Sequence, residues 1–205
     1  MSGKFLQASV VIKSLRDSGY NNAASALGEL IDNSIQAGAS IVELGIIEEI
    51  SSSTSRNNFV ATEITLWDNG KGMSKDTLRQ ALQFGGGEHR NDKKGMGKFG
   101  MGLPNSSISQ CKRVEVWSWQ DGLPPRYTYL DVDEMASGLL EVVPEPEERP
   151  LPVEYLRTHF SSSGLTESGT FIRWTKLDRL TWKTGRAIRS HCENLVGRMY
   201  RKFML

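Results

Sequence analysis

The segment Ala26-Leu-Gly-Glu-Leu-Ile-Asp-Asn-Ser-Ile-Gln-Ala-Gly-Ala39 has the spacing of an amphipathic helix. At about 100° per residue, its apolar and polar side chains separate onto two sides. The apolar side holds Leu27, Leu30, Ile31 and Ile35, and the opposite side holds Glu29, Asp32, Asn33 and Gln36. Asparagine at position 21 or 22 can cap the start, and Gly38 can end the helix. The pattern therefore predicts a helix over residues 21–37.

The polar side of this helix is the first candidate site. Glu29 and Asn33 are four residues apart, so they share one face. An amide oxygen is a hard ligand that suits Mg²⁺, and a carboxylate one turn away can orient or deprotonate a water molecule. Taken alone, the same pattern is also typical of a solvent-exposed helix face.

The rest of the chain mixes strands and helices without strict alternation. Residues 41–47 and 59–67 are apolar and rich in β-branched residues, and no helical pattern separates them, so we expect a hairpin. Further strands are predicted over residues 113–119, 126–132, 139–143 and 169–175. Helices are predicted from Ser74 to Phe84, over residues 104–110 and from Thr184 onward. Residues 144–152, acidic and rich in proline, are expected to form a surface loop.

This order predicts an α+β fold with two layers, in which a mostly antiparallel sheet carries helices on one face. There is no internal repeat and no linker strong enough to divide the chain, so we expect one domain over residues 1–205. Within it we distinguish an N-terminal segment (1–19), a glycine-rich segment (85–102) and a C-terminal helix (184–205) that leads toward a downstream domain.

Two glycine-rich segments supply further candidates. In Asp68-Asn-Gly-Lys-Gly-Met73, a carboxylate directly follows a strand and can accept from the amine of adenine, with Gly70 and Gly72 allowing a close approach. An ordinary turn has the same composition. In Gly95-Met-Gly-Lys-Phe-Gly-Met-Gly102, backbone N–H groups and the start of the next helix suit phosphate, although a hinge without a ligand is the alternative. The latter segment matches neither a Walker A loop nor a dinucleotide-binding fingerprint.

Taken in order, four motifs resemble the boxes of the GHKL ATPase superfamily, whose members have the Bergerat fold. They are ALGELIDNSIQAGA (26–39), LWDNGKGM (66–73), GKFGMGL (97–103) and SGTFIRW (168–174). The first motif, with an acidic residue before the asparagine, is most similar to the MORC, MutL and heat-shock-chaperone branches. The resemblance covers about residues 20–175 and implies an Mg²⁺-dependent ATPase.

The resemblance also assigns roles to individual residues. It implies that Glu29 is the general base and that Asn33 is the Mg²⁺ ligand. It implies that Asp68 binds adenine, with Gly70, Gly72, Met73 and Thr170 around the base. The phosphates are then held by Gly97, Lys98, Phe99, Gly100, Met101 and Gly102, where the contact from Lys98 is our own addition to the family pattern.

The resemblance further implies a lid at residues 85–102 that closes over the triphosphate, together with ATP-dependent homodimerisation. DNA or a protein client would bind through other domains. Hydrolysis by this domain alone is expected to be weak, because several relatives use a lysine from a following domain. The alternative function is a nucleotide-binding kinase or regulatory module without significant hydrolysis.

Composition narrows the protein class. The net charge of +1 gives no overall attraction to nucleic acid or membranes. Two cysteines without paired spacing argue against a disulfide framework and a cysteine-based zinc site. The N-terminal residues do not have the apolar region that is typical of a signal peptide, and no apolar run approaches the roughly 20 residues that would span a bilayer. We therefore expect a cytoplasmic protein.

Overall fold

The computed structural model describes residues 8–51, 58–84, 102–159 and 165–199. In these ranges the chain forms helices α1 (Ala8–Asp17), α2 (Ala23–Gln36), α3 (Lys75–Ala81), α4 (Gly102–Ile108), α5 (Val132–Ser137), α6 (Val153–His159) and α7 (Gly185–Met199). The strands are β1 (Val42–Ser51), β2 (Asn58–Asp68), β3 (Cys111–Trp119), β4 (Arg126–Asp131), β5 (Glu147–Glu148) and β6 (Gly169–Leu177). None of these helices is both long and apolar enough to cross a membrane.

The six strands form one antiparallel sheet in the order β1-β2-β6-β3-β4-β5. The expected hairpin of β1 and β2 is confirmed, and it pairs Val42 with Asp68. The last strand in the sequence, β6, lies between β2 and β3 in the middle of the sheet. This arrangement brings the start of β6 beside the end of β2, where Asp68 is opposite Thr170.

One face of the sheet packs against the helices and forms the main core. Side chains alternate between faces along a strand, and the buried set on this face includes Ile64, Leu66, Val116 and Ile172. Leu27 and Leu30 of α2 belong to the same cluster and are almost fully buried. Burying a side chain of this size contributes about 1.5–3 kcal/mol. The predicted α+β fold is therefore confirmed, with α2 fixed to the sheet by its apolar side.

The opposite face of the sheet carries a second, aromatic core. Trp117 packs against Tyr127 and Phe171, with ring centroids 4.7 and 5.7 Å apart. The ring of Tyr155 in α6 packs against Phe171 in a tilted arrangement, with the ring centroids 5.3 Å apart. The short helix α6 therefore covers part of the face that lies away from α2.

Several sequence predictions differ from the structure. Residues 139–143 are not a strand, since Leu139 is 82% exposed and Val142 is 67% exposed. This segment directly follows Gly138, whose φ of +79° ends α5. The predicted loop at 144–152 contains β5, which pairs with β4. Ile35, assigned to the apolar side of α2, is 47% exposed because it lies in the last turn. Helices α1, α5 and α6 were not predicted.

Candidate functional site

A cavity of ≈ 420 Å³ lies along α2. It is bounded by the loop after β2, by α3, by the start of α4 and by β6. Seven of the predicted site residues line it, namely Glu29, Asn33, Asp68, Gly72, Met73, Gly102 and Thr170. Gly70 is not among the lining residues, and Gly97, Lys98, Phe99, Gly100 and Met101 are outside the described residues. Most of the predicted site residues within the described ranges therefore converge on one cavity.

Asp68 is a buried carboxylate in the wall of this cavity. It ends β2 and is only 3% exposed. One carboxylate oxygen accepts a hydrogen bond from the Ser34 hydroxyl of α2 at 2.9 Å, and the other accepts from the Gly70 N–H at 2.9 Å. Burial raises the pKa of Asp68, and these two hydrogen bonds offset part of the rise. The side chain is thus a fixed hydrogen-bond acceptor facing the cavity.

The loop after Asp68 is packed too tightly for side chains at its glycines. Gly72 has φ +65°, and a β-carbon there would collide with the Trp119 carbonyl oxygen. A β-carbon on Gly70 would lie 2.9 Å from the Ala37 side chain. In the structure these glycines permit a close approach of the loop to the end of α2 and to the end of β3. Their predicted approach to a flat base stays a prediction.

A small hydroxyl network joins this loop to β6. The Ser118 hydroxyl accepts from the Met73 N–H at 2.8 Å and donates to the Gly169 carbonyl at 2.9 Å. It also lies 3.1 Å from the Thr170 hydroxyl. Thr170 is consequently held against the same wall as Asp68. Ser118 was missed in the sequence because it lies in a strand without any motif.

Glu29 and Asn33 occupy another part of the cavity. They are one turn apart on α2, as predicted, and both line the cavity. Glu29 accepts a hydrogen bond from the Tyr20 hydroxyl at 3.0 Å. On its other side, a β-carbon on Gly102 would collide with the Glu29 carboxylate. Glu29 therefore faces the start of α4. Asp68 contacts α2 at Ser34, which lies more than one helical turn beyond Glu29.

The side chains around this cavity suit a magnesium ion that takes one ligand from the protein and the others from water and phosphate. In the described ranges, no three His, Cys, Asp or Glu side chains are grouped as a metal site. Mg²⁺ on nucleotides usually keeps water and phosphate ligands and takes one or two from the protein. The Asn33 side chain is the predicted protein ligand that lines the cavity.

Ten other residues line the cavity, and none of them was predicted to bind a ligand. They are Leu30, Ser34, Gln36, Ala37, Lys71, Thr77, Gln80, Ala81, Leu103 and Ile172. Thr77 and Gln80 lie three apart on α3, which brings both to one face. Ser34 follows Asn33 directly, and its role depends on its contact with Asp68, which the sequence does not reveal.

Comparison with known proteins agrees with this geometry. The family model described as histidine kinase-, DNA gyrase B-, and HSP90-like ATPase matches residues 20–164, well over half of the chain. The match contains Glu29, Asn33 and the loop after Asp68, and it ends before Thr170. No curated protein matches the chain. By fold, by cavity and by this match, the chain belongs to the GHKL family of histidine kinase-, DNA gyrase B- and HSP90-like ATPases.

Proposed function

We propose that the chain binds ATP with Mg²⁺ in the cavity along α2 and hydrolyses it. The observation that supports this most is the pairing of two carboxylates with different surroundings in one cavity. Asp68 is buried and fixed as an acceptor. Glu29 lies beside the start of α4, with Asn33 one turn away on the same helix. The first environment suits recognition of a base, and the second suits chemistry on a phosphate.

Adenine is the proposed occupant of the Asp68 end. The Asp68 carboxylate would accept from the exocyclic amine, which guanine does not present at that position. Met73 and Ile172 supply apolar surface beside it, and Thr170 supplies a hydroxyl. Ser34 and the Gly70 N–H keep the carboxylate in place without occupying all of its acceptor capacity.

Hydrolysis is the proposed reaction at the Glu29 end. Glu29 would take a proton from the attacking water, and Asn33 would hold the magnesium ion. When bound, Mg²⁺ neutralises phosphate charge. Gly102 lines this end of the cavity. Gly97, Lys98, Phe99, Gly100 and Met101 stay predicted phosphate contacts on the strength of the sequence motif alone.

The decisive test separates binding from turnover. Glu29→Gln should keep the affinity for ATP and lower phosphate release by roughly 10²- to 10⁴-fold, because that is the usual contribution of a general base. Glu49→Gln, an exposed glutamate on β1, is the matched control and should change neither quantity. Calorimetry measures the affinity, and a phosphate-release assay measures the turnover.

Other outcomes of this test select the alternative function. ATP binding without any phosphate release by the parent chain would support a kinase or a regulatory nucleotide-binding module.

We also propose that ATP drives a conformational change or dimerisation in a larger protein, as in the MORC, MutL and chaperone branches, with DNA or protein clients bound elsewhere. Sedimentation with and without a non-hydrolysable ATP analogue tests the dimer.

A further inference from the structure

Tyr20 lies behind the proposed general base. It precedes α2 by three residues, and its hydroxyl donates to Oε2 of Glu29 at 3.0 Å. Glu29 lines the cavity, whereas Tyr20 is not among its described lining residues. Tyr20 therefore contacts the base from the protein side.

Tyr20 is itself held in place by the turn that follows α4. The side-chain amide of Gln110 donates to the Tyr20 carbonyl at 2.7 Å. The preceding Gly19 lies so close to the turn after α4 that a β-carbon would be 2.7 Å from the Ser109 side chain. The Tyr20 ring packs against the main core. The phenol is fixed by its backbone, by its neighbour and by packing, so its hydroxyl has a defined position.

The two oxygens of the Glu29 carboxylate have different surroundings as a result. Oε2 is bound to Tyr20, and Oε1 abuts Gly102, which lines the cavity. A carboxylate without the Tyr20 contact could rotate and exchange the two oxygens. With the contact, Oε1 is the oxygen that faces Gly102.

We infer that Tyr20 is a positioning residue for ATP hydrolysis, which holds Glu29 so that Oε1 is presented to the attacking water. This inference rests on the proposed function. A misplaced reacting group slows catalysis while substrate binding is preserved. Loss of the Tyr20 hydroxyl should therefore lower kcat and leave KM and nucleotide affinity unchanged.

The direction of the hydrogen bond is fixed over the working pH range. Burial, and then the neighbouring charge of Glu29, raise the pKa of Tyr20 to about 12. The phenol keeps its proton near neutral pH, so Tyr20 is the donor and Glu29 the acceptor.

Tyr20→Phe in the 205-residue chain tests the inference, with Tyr129→Phe as the matched control. Tyr129 also donates to a glutamate, Glu134, at 2.9 Å, but away from the cavity. We expect Tyr20→Phe to lower kcat about tenfold, a fraction of the general-base contribution, with KM and the Kd of a non-hydrolysable ATP analogue within about twofold of the parent. Tyr129→Phe should leave all three unchanged.

A second comparison excludes a purely structural role. In a Glu29→Gln background, Tyr20→Phe should lower the residual turnover no further, because the group that it positions is already gone. Full kcat in Tyr20→Phe, or an equal further loss in the Glu29→Gln background, would overturn the positioning role alone. A parent chain that binds the analogue but releases no phosphate would overturn hydrolysis, and the positioning role with it.

Discussion

At the scale of single residues, Asp68 is expected to decide nucleotide recognition. Asp68→Asn would place an amide N–H₂ where the carboxylate oxygen is proposed to accept from adenine. The amide and the exocyclic amine of adenine would then be two donors facing each other. We expect the affinity for ATP to fall at least about tenfold, which corresponds to about 1.4 kcal/mol. Asp133→Asn, at an exposed aspartate on α5, is the control. Calorimetry showing equal affinity for Asp68→Asn and the parent would rule out the adenine contact.

The same residue predicts a pH dependence of stability. The pKa of Asp68 is raised by burial, so the folded protein favours the protonated carboxyl group. Asp68 therefore contributes most to the free energy of unfolding at pH values below its pKa in the unfolded chain. This contribution decreases as the pH rises through the higher pKa of the folded protein. Asp68→Asn removes this dependence. From about pH 4 to pH 7, the stability of the variant relative to the parent should increase, as measured by urea unfolding. A relative stability that decreases with pH would contradict the sign.

A matched pair of glycines separates backbone conformation from steric contact. Gly72 and Gly122 have similar φ values of +65° and +68°. A β-carbon at Gly122 would meet nothing within 4 Å, whereas at Gly72 it would collide with the Trp119 carbonyl oxygen. Gly122→Ala should cost about 1–2 kcal/mol, the price of the left-handed conformation. Gly72→Ala should cost more than that and weaken ATP binding. Equal losses in denaturant unfolding would show that the loop can move away from Trp119.

At the scale of elements, α1 is anchored by one buried arginine. Arg16 is 8% exposed, donates to the Ile108 carbonyl at 2.6 Å and pairs with Asp178 at 2.5 Å. The neighbouring pair of Asp17 and Arg179, at 2.9 Å, is much more exposed. Arg16→Met removes a buried donor to α4 and should cost about 2–4 kcal/mol. Arg179→Met should cost less than about 1 kcal/mol. Similar losses for both variants in urea unfolding would contradict this difference in burial.

Elements whose signals are local were predicted well from the sequence. Helix α2 begins after Asn22, whose side chain accepts from the Ser25 N–H, and it ends before Gly38, which has φ +77°. Ser74 caps α3 in the same way. Helix α6 could not be predicted, because Tyr155 is buried by side chains from distant parts of the chain, such as Phe171. Residues 139–143 were wrongly assigned to a strand, since the course of the chain there depends on the turn at Gly138.

The residues of the candidate site likewise differ in whether a local sequence motif predicts them. Glu29, Asn33 and Asp68 were identified because each belongs to a short linear motif. Ser118 contacts Met73 across 45 residues of sequence, and no motif marks it. Tyr20 reaches Glu29 from the loop before α2, which Gln110 holds in place. Residues that support a site are brought to it by tertiary contacts, so they carry little signal in one sequence.

At the scale of the whole molecule, the strand that completes the sheet comes last. A chain ending at residue 164 would retain the two hairpins but lack β6, which joins β2 to β3. We expect that fragment to show no cooperative thermal unfolding by circular dichroism. A chain ending at residue 199 keeps every described element and should unfold cooperatively. A cooperative transition in the shorter fragment would show that the hairpins associate without β6.

The central position of β6 also has a consequence for synthesis on the ribosome. Chains are made at about 5–20 residues per second, so both hairpins emerge seconds before the strand that pairs with each of them. Until then, the inner edges of β2 and β3 lack their sheet partner, and unpaired edges can pair with other chains. During this interval the nascent chain can misassemble with other chains. A chaperone that binds the first 168 residues would protect the unpaired edges until β6 has been made.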